Sequence, residues 1–219
     1  MKSEIAFAKI LPNCRSVLCL DGALPYGPIR RMGLPILAAD GAANRLIRRG
    51  LEPRMILGDL DSVDPKLLSC RKFLKIFDQD RSDFEKALHF AQEVSLTPTA
   101  VTGIDGGFLD HIFGNFSILA QTRSCFFSRN ILGLLLEEDF RTDALPLHTK
   151  ISLFGAPRCR ICSRGLRWEL QGQELSFGGM MSLGNRTCSS PVELQVLSGK
   201  ALVFIYAQEV HDAGYLPDG

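Results

Sequence analysis

Through its first 125 or so residues the chain repeats one rhythm: a short apolar run, a Gly/Asp turn, then a segment of helical character. The runs are VLCL (17–20), PILAA (35–39), RMIL (54–57), KIF (75–77) and AVT (100–102). Each is strand-sized, and strands separated by helical segments rejoin in parallel through crossovers. The rhythm therefore predicts an α/β unit built on a mostly parallel sheet. One helix is marked in detail, because Ser82 and Glu85 have capping-box spacing. Behind them Phe84, Ala87, Leu88, Ala91 and Val94 recur at helical intervals and supply one buried face. Asp83 then falls in the first turn, where the partial positive charge of a helix start favours a carboxylate.

After about residue 125 the texture changes. ILGLLL, KISLF, LRWEL, ELSFGG, VELQVL and ALVFIYA are short, β-rich and separated by Gly, Pro, Ser or Asn. We expect a smaller all-β sandwich there, so that the chain divides into an α/β nucleotide-binding catalytic domain over 1–127 and a β-sandwich domain over 128–219. No repeat of fixed period and no low-complexity tract is present.

The turns of the first half concentrate acid. GDLDSVD (58–64) carries Asp59, Asp61 and Asp64, and Asp78, Asp80, Asp83 and Glu85 follow about twenty residues later. Two like charges about 4 Å apart repel by roughly 4 kcal/mol at a near-surface dielectric of about 20. Such groups must be separated, solvated or neutralised by a cation. In an open parallel sheet ligands bind at the carboxyl ends of the strands, where strand order reverses. Asp40, Asp59, Asp78 and Asp105 all lie just past an expected strand end, which converges them on that crevice. Carboxylates without a thiolate or imidazole cluster suit a hard ion such as Mg²⁺, which is held by one or two carboxylates together with substrate phosphates. The chain has no GxxxxGK[ST], which excludes a Walker-type phosphate loop. Gly103, Gly106 and Gly107, ahead of a helix beginning near Leu109, offer backbone that phosphates can approach.

Composition closes off other classes. A net charge of +1 argues against a general nucleic-acid or acidic-membrane binder. No stretch reaches the roughly 20 apolar residues of a membrane span, and MKSEIAFAKILPNCRS, cut by Pro12, Asn13 and Arg15, is a poor secretory signal. Seven scattered cysteines suit reduced thiols and a cytoplasmic setting better than a disulfide framework. Cys159 and Cys162 form a CxxC that could recruit Cys188 and His148 for zinc, but two further ligands at regular spacing are missing and ordinary thiols are expected.

ADGAANRL (39–46), GDLDS (58–62), DQDRSDFEKAL (78–88), GIDGGFLDHIFGN (103–115), RGLRWEL (164–170) and FGGMMSLGN (177–185) together resemble the thiamine pyrophosphokinases in order and spacing. The resemblance implies a homodimer that transfers diphosphate from ATP to the hydroxyl of thiamine and releases AMP. It implies Asp59, Asp61 and Asp83 as Mg²⁺ ligands. Gln79 and Ser82 would position substrate, and Asp110 would be a further active-site carboxylate. Asp40, Gly41, Asn44 and the Gly103–Gly107 loop would meet the nucleotide. Trp168 would stack on thiamine from the neighbouring subunit, with Ser182 and Asn185 near the acceptor. One departure stands out: relatives read GGRxDH, whereas this chain has Phe108 at the arginine position. A phenyl ring cannot fork onto phosphate as a guanidinium does. Asp105 adds a further negative charge to that loop, with Arg81 as the candidate compensating cation and His111 taken as structural. Two alternatives follow from Phe108: a pyrophosphokinase for another alcohol such as a hydroxymethylpterin, or a nucleotide-binding protein with impaired catalysis.

Overall fold

The computed structural model describes residue 10 and residues 13–78, 80–122 and 124–206. The first half runs β1 (Ser16–Cys19), α1 (Tyr26–Met32), β2 (Ile36–Ala39), α2 (Ala42–Arg48), β3 (Met55–Gly58), α3 (Pro65–Leu68), β4 (Phe73–Lys75), α4 (Asp83–Glu93), β5 (Thr99–Thr102), α5 (Leu109–Leu119) and β6 (Cys125–Phe127). The strands pair in the order β6-β5-β1-β2-β3-β4, all parallel. Successive side chains of a strand point to opposite faces, and here both faces are buried. Val17 and Cys19 join one core cluster with Ile29 of α1 and Leu46 of α2, while Leu18 joins the other with Phe84, Ala87, Leu88 and Ala91 of α4. Short strands apolar on both faces are what a helix-covered parallel sheet requires.

Strand order reverses beside β1, which leads outward to β2, β3 and β4 on one side and has β5 and β6 on the other. The turns after β1, β2, β3 and β5 therefore open onto one edge around that reversal. Helix α4 begins with the anticipated capping box, in which the Ser82 side chain accepts from the Glu85 N–H and Glu85 accepts from the Ser82 N–H. Val94, expected on its buried face, is instead the exposed C-cap. Ser82→Ala is expected to cost about 1 kcal/mol, read as a lower denaturant midpoint with unchanged slope.

The second half contains β7 (Ile131–Leu136), β8 (Phe140–Thr142), β9 (Lys150–Arg164), β10 (Gln171–Ser176), β11 (Ser182–Arg186) and β12 (Val192–Tyr206), with no helix among its described residues. The architecture is thus mixed α/β on one large sheet, because β7 pairs antiparallel with β6 and β12 continues on β7. Strands β9 and β12 pair along most of their length, broken by register shifts near Ser198 and Gly199. Before that break β12 also carries β8, and after it β7. Ile151, Ile161, Leu175, Val192, Leu194, Val203 and Ile205 from both stretches share one buried cluster.

Several expected elements differ in extent. VELQVL and the described residues 201–206 of ALVFIYA are one strand, since the intervening residues 198–200 carry a bulge and not a turn. LRWEL forms no strand and contributes a single bridge, Leu166 to Thr187. KIF is displaced by two residues to Phe73–Lys75, although Ile76 still donates to the Gly58 carbonyl at 2.8 Å. Helices α1 and α3 occupy the helical places that the rhythm leaves after β1 and β3, at bounds the sequence pattern does not mark. Helix α3 opens on Asp64-Pro65, with Asp64 accepting from the Lys66 N–H and proline at the first helical position.

Candidate active site

Three carboxylates meet where β2 and β3 end and α4 begins. Oxygens of Asp40, Asp59 and Asp83 all lie within 4.8 Å of one another, the one such grouping of possible metal ligands among the described residues. Asp40 follows β2 directly and is held in left-handed backbone at φ 42°, with its N–H bonded to the Leu57 carbonyl at 2.8 Å. Asp59 follows Gly58, the last residue of β3. Gly58 has φ 140°, and a Cβ on it would stand 3.0 Å from the Asp83 carboxyl and 3.3 Å from the Asp40 Cβ. The three acids can converge because this position carries no side chain.

Charge balance inside the cluster is unusual. Lys86, buried on α4, donates to Asp83 Oδ1 at 2.9 Å. Three carboxylates less one ammonium leave a formal charge of two negative units, which one divalent cation would neutralise. Asp40 Oδ1 is buried without a hydrogen-bond partner. Burial pushes the Asp40 carboxyl above its ordinary value, with the neighbouring Asp83 and Asp61 charges adding to the rise and bonds from Ser62 and the Gly41 backbone opposing it. A buried acceptor with no donor, beside two more acids, has the character of a cation ligand.

The expected ligand Asp61 is not in this trio, and Asp40 stands there in its place. Asp61 accepts from the Ser62 hydroxyl at 2.9 Å, and its N–H reaches Asp59 Oδ1 at 3.3 Å. Leu60 between them adopts φ 65° and buries its side chain, while Asp61 after it is exposed. Strained backbone of this kind persists where the surroundings over-determine it. Asn44 of α2 supplies that constraint: its amide donates to the Ser62 carbonyl at 2.7 Å and its oxygen accepts from the Asp64 N–H at 2.9 Å. Both ends of Asn44 thus brace the GDLDS loop.

The loop after β5 nests against the turn after β1. Ala23 donates to the Asp105 carbonyl at 2.6 Å, and a Cβ on Gly22 would overlap the carbonyls of Gly103 and Asp105. Gly41, the N-cap of α2, similarly faces Asp21, which pairs with Arg45 at 3.3 Å. Asp21, Arg45 and Lys86 were not singled out from sequence, although two of the three lie inside the motifs quoted above. Gly106 packs near Ala23, whereas Gly107 borders open space. Asp105 has a buried, unpartnered Oδ1, and burial raises its carboxyl against the opposing charge of Arg129.

Phe108 is the N-cap of α5, with its ring 77% exposed, and Asp110 in the first turn accepts from the His111 N–H. The ring of His111, itself exposed, meets Phe108 edge-on at 5.9 Å. Arg81 is paired with Asp78 at 3.4 Å and so is not placed on the glycine loop by any contact described. Ser82 spends its hydroxyl on the α4 cap. Gln79 lies outside the described residues.

In the β-rich half, Trp168, Ser182 and Asn185 come together. Asn185, almost fully buried, donates to the Trp168 carbonyl at 2.7 Å and to the Ser182 hydroxyl at 3.3 Å, and accepts from the Trp168 N–H. The indole stays 56% exposed, with the Arg167 guanidinium over it at 4.9 Å. Leu109 and Phe113 of α5 and Phe177, Met180, Met181 and Leu183 around the β10–β11 turn are exposed, and the Phe113 ring meets Phe177 edge-on at 6.4 Å. Cys159 is buried and Cys162 half-buried on β9, three residues apart and so on opposite faces, and among the described residues neither joins a metal-ligating group.

Residues 35–129 match the family model described as thiamin pyrophosphokinase, catalytic domain. Thiamine pyrophosphokinase 2 of Arabidopsis thaliana is 30% identical over 188 residues, which cover 68% of this chain and 69% of that protein. Thiamine pyrophosphokinase 3 of Oryza sativa subsp. japonica is 28% identical over 214 residues, with 80% and 79% covered. Among solved structures, yeast thiamin pyrophosphokinase superposes with a TM-score of 0.75 at 17% identity, over 93% of this chain and 90% of that one. The enzyme of Geobacillus thermodenitrificans gives 0.72 at 20% identity, over 90% and 99%. At such identities the structural likeness is one of fold.

Proposed function

Because this chain belongs to the thiamine pyrophosphokinase family, we infer that it is a diphosphotransferase, passing the diphosphate of ATP to the hydroxyl of thiamine to give thiamine diphosphate and AMP. The observation that carries the reading is the meeting of Asp40, Asp59 and Asp83 at the sheet edge within the matched residues. We assign Mg²⁺ to this cluster, with Asp61 on the same loop as a carboxylate able to join it. The orphaned Asp40 oxygen and the net two negative charges fit such an ion. When bound, a divalent ion neutralises charge on the phosphate oxygens and holds them for in-line displacement.

The protein's own groups do the rest. Lys86 keeps Asp83 aimed at the cluster and lowers the repulsion among the acids. Asn44 braces the loop that carries Asp59 and Asp61. The backbone of the Gly103–Gly107 loop, held by Gly22 and Ala23, receives the nucleotide. Asp59 is engaged in the cluster, so we assign the hydroxyl proton to Asp110, in the first turn of α5. Phe108 supplies no charge where relatives place arginine, so transition-state charge rests more heavily on the ion.

We assign the nucleotide to residues 1–127 and the acceptor to residues 128–219, where the indole of Trp168 stacks on the cationic thiazolium. The exposed apolar side chains of α5 and the β10–β11 turn, joined by the Phe113–Phe177 contact, support a homodimer, with the acceptor site shared between subunits. Seven free thiols support a cytoplasmic setting, and no helix among the described residues is long and apolar enough to cross a membrane.

The test is product analysis with ATP, Mg²⁺ and thiamine. Thiamine diphosphate and AMP are expected; ADP, or turnover of a hydroxymethylpterin but not thiamine, would overturn the assignment. Trp168→Ala is expected to raise KM for thiamine about 2- to 30-fold, the range for a cation–aromatic contact, with kcat and the melting temperature little changed.

A further inference from the structure

Away from the carboxylates, at the opposite end of the parallel strands, two thiols face each other. The sulfurs of Cys14 and Cys125 are 3.4 Å apart although 111 residues separate them in sequence. Cys125 opens β6 and is 1% exposed, while Cys14 precedes β1, is half-buried and packs against the same core cluster. They meet across the intervening strand. In the sheet register Cys125 lies opposite Ala100 of β5, and Ala100 opposite Val17 of β1. All three side chains belong to one core cluster, so the residue between the outer strands on that face is a single methyl group.

We propose that Cys14 and Cys125 form a site of reversible oxidative modification, closing to an intramolecular disulfide on reaction with a low-molecular-weight disulfide. The geometry assigns the two sulfurs different roles. Cys14 has solvent access and is the attacking group; Cys125, shielded from solvent, is placed to resolve. Their shared hydrogen bond lowers the Cys14 thiol and raises that of Cys125, with burial adding to the rise on Cys125. Of the two, Cys14 is thus the thiol that ionises more readily, and the thiolate is the nucleophilic form.

In the first step the Cys14 thiolate attacks one sulfur of the reagent RSSR, forming Cys14–S–S–R and expelling RS⁻. In the second, Cys125 releases its proton, attacks the Cys14 sulfur and expels the second RS⁻. Two protein thiols are oxidised, one small disulfide is reduced to two thiols, and two protons pass to the leaving groups. The sulfurs must close to a bond length of about 2 Å, a movement that rotation of the Cys14 side chain can supply.

The cross-link would join β1 to β6 over β5 and close a loop that contains every residue of the carboxylate cluster. Such a link raises stability chiefly by restricting the unfolded chain. It lies at the N-terminal ends of the strands, whereas Asp40 and Asp59 follow the C-terminal ends, so turnover should persist in the oxidised protein.

The full chain is treated with graded oxidised glutathione, quenched by alkylation and weighed intact. Alkylatable thiols should fall by two from seven, without a retained glutathione. Peptide mapping should join Cys14 to Cys125, and the melting temperature should rise until dithiothreitol reverses it. Cys14→Ser should lose the link and the stability gain. Cys125→Ser, or Cys125→Ala if the serine variant does not fold, should retain one glutathione on Cys14, because the resolving thiol is gone. A stable glutathione on wild-type Cys14, oxidation confined to the exposed Cys70 and Cys188, or a link between other cysteines would each overturn the proposal.

Discussion

Asp40→Asn is expected to lower turnover of ATP and thiamine by about two to three orders of magnitude and, in protein freed of divalent ions, to raise the melting temperature. The pairing of these two effects follows from the electrostatics of the site. Asp40 supplies one of three converging carboxylates, and its buried Oδ1 has no donor. Asparagine keeps the shape and removes the charge that the proposed ion needs. The same charge is a burden when no ion is bound. Burial and the neighbouring acids raise the Asp40 carboxyl above 3.8, so the folded chain holds this proton more tightly than the unfolded chain does. The resulting stabilisation is complete below the unfolded value and is lost as pH rises through the folded one. At neutral pH the ionised Asp40 therefore opposes folding until a cation offsets it. Thermal melts with and without Mg²⁺, alongside initial rates, test both halves. A variant with normal turnover, or one that melts lower without metal, would reduce Asp40 to a turn residue.

Gly58→Ala is expected to abolish ion binding and turnover while lowering stability by about 1–3 kcal/mol, the usual cost of forcing a side chain into backbone conformation of this type. At φ 140° an alanine is strained whatever space surrounds it, and its methyl would press on the Asp83 carboxyl at 3.0 Å and the Asp40 Cβ at 3.3 Å. Either the backbone relaxes and carries Asp59 away, or the two acids part. Titration with Mg²⁺ followed by melting temperature separates this variant from Asp40→Asn. Both should lose the ion-dependent rise, but their metal-free melting temperatures should move in opposite directions. Retention of the rise in Gly58→Ala would show that the acids do not depend on this close approach.

Much of the parallel half was legible because its signals are local. Strand cores alternate with turn chemistry, and the Ser82–Glu85 box announces α4 within four residues. The β-rich half was legible in type but not in connectivity. Ser198-Gly199 has the composition of a turn, yet β12 runs through it as a bulge because β9 pairs on both sides, a constraint supplied by residues forty positions away. LRWEL has strand composition, yet Asn185 captures the Trp168 backbone and leaves no ladder for it to join. The quoted motifs contain the three acids that meet, Asp40, Asp59 and Asp83. They could not say which of their acids would touch.

By itself the sequence determined the class of the fold, the strand-end placement of the acids and the family, since these depend on residue type and spacing along the chain. Only the tertiary structure decided that Asp40 joins Asp59 and Asp83 while Asp61 turns to Ser62, that Lys86 is buried against the cluster, and that Asn44 braces its loop. Those outcomes depend on how β2, β3 and α4 approach one another around a residue without a side chain. Distances of a few ångströms between segments far apart in sequence are set by packing, not by local preference.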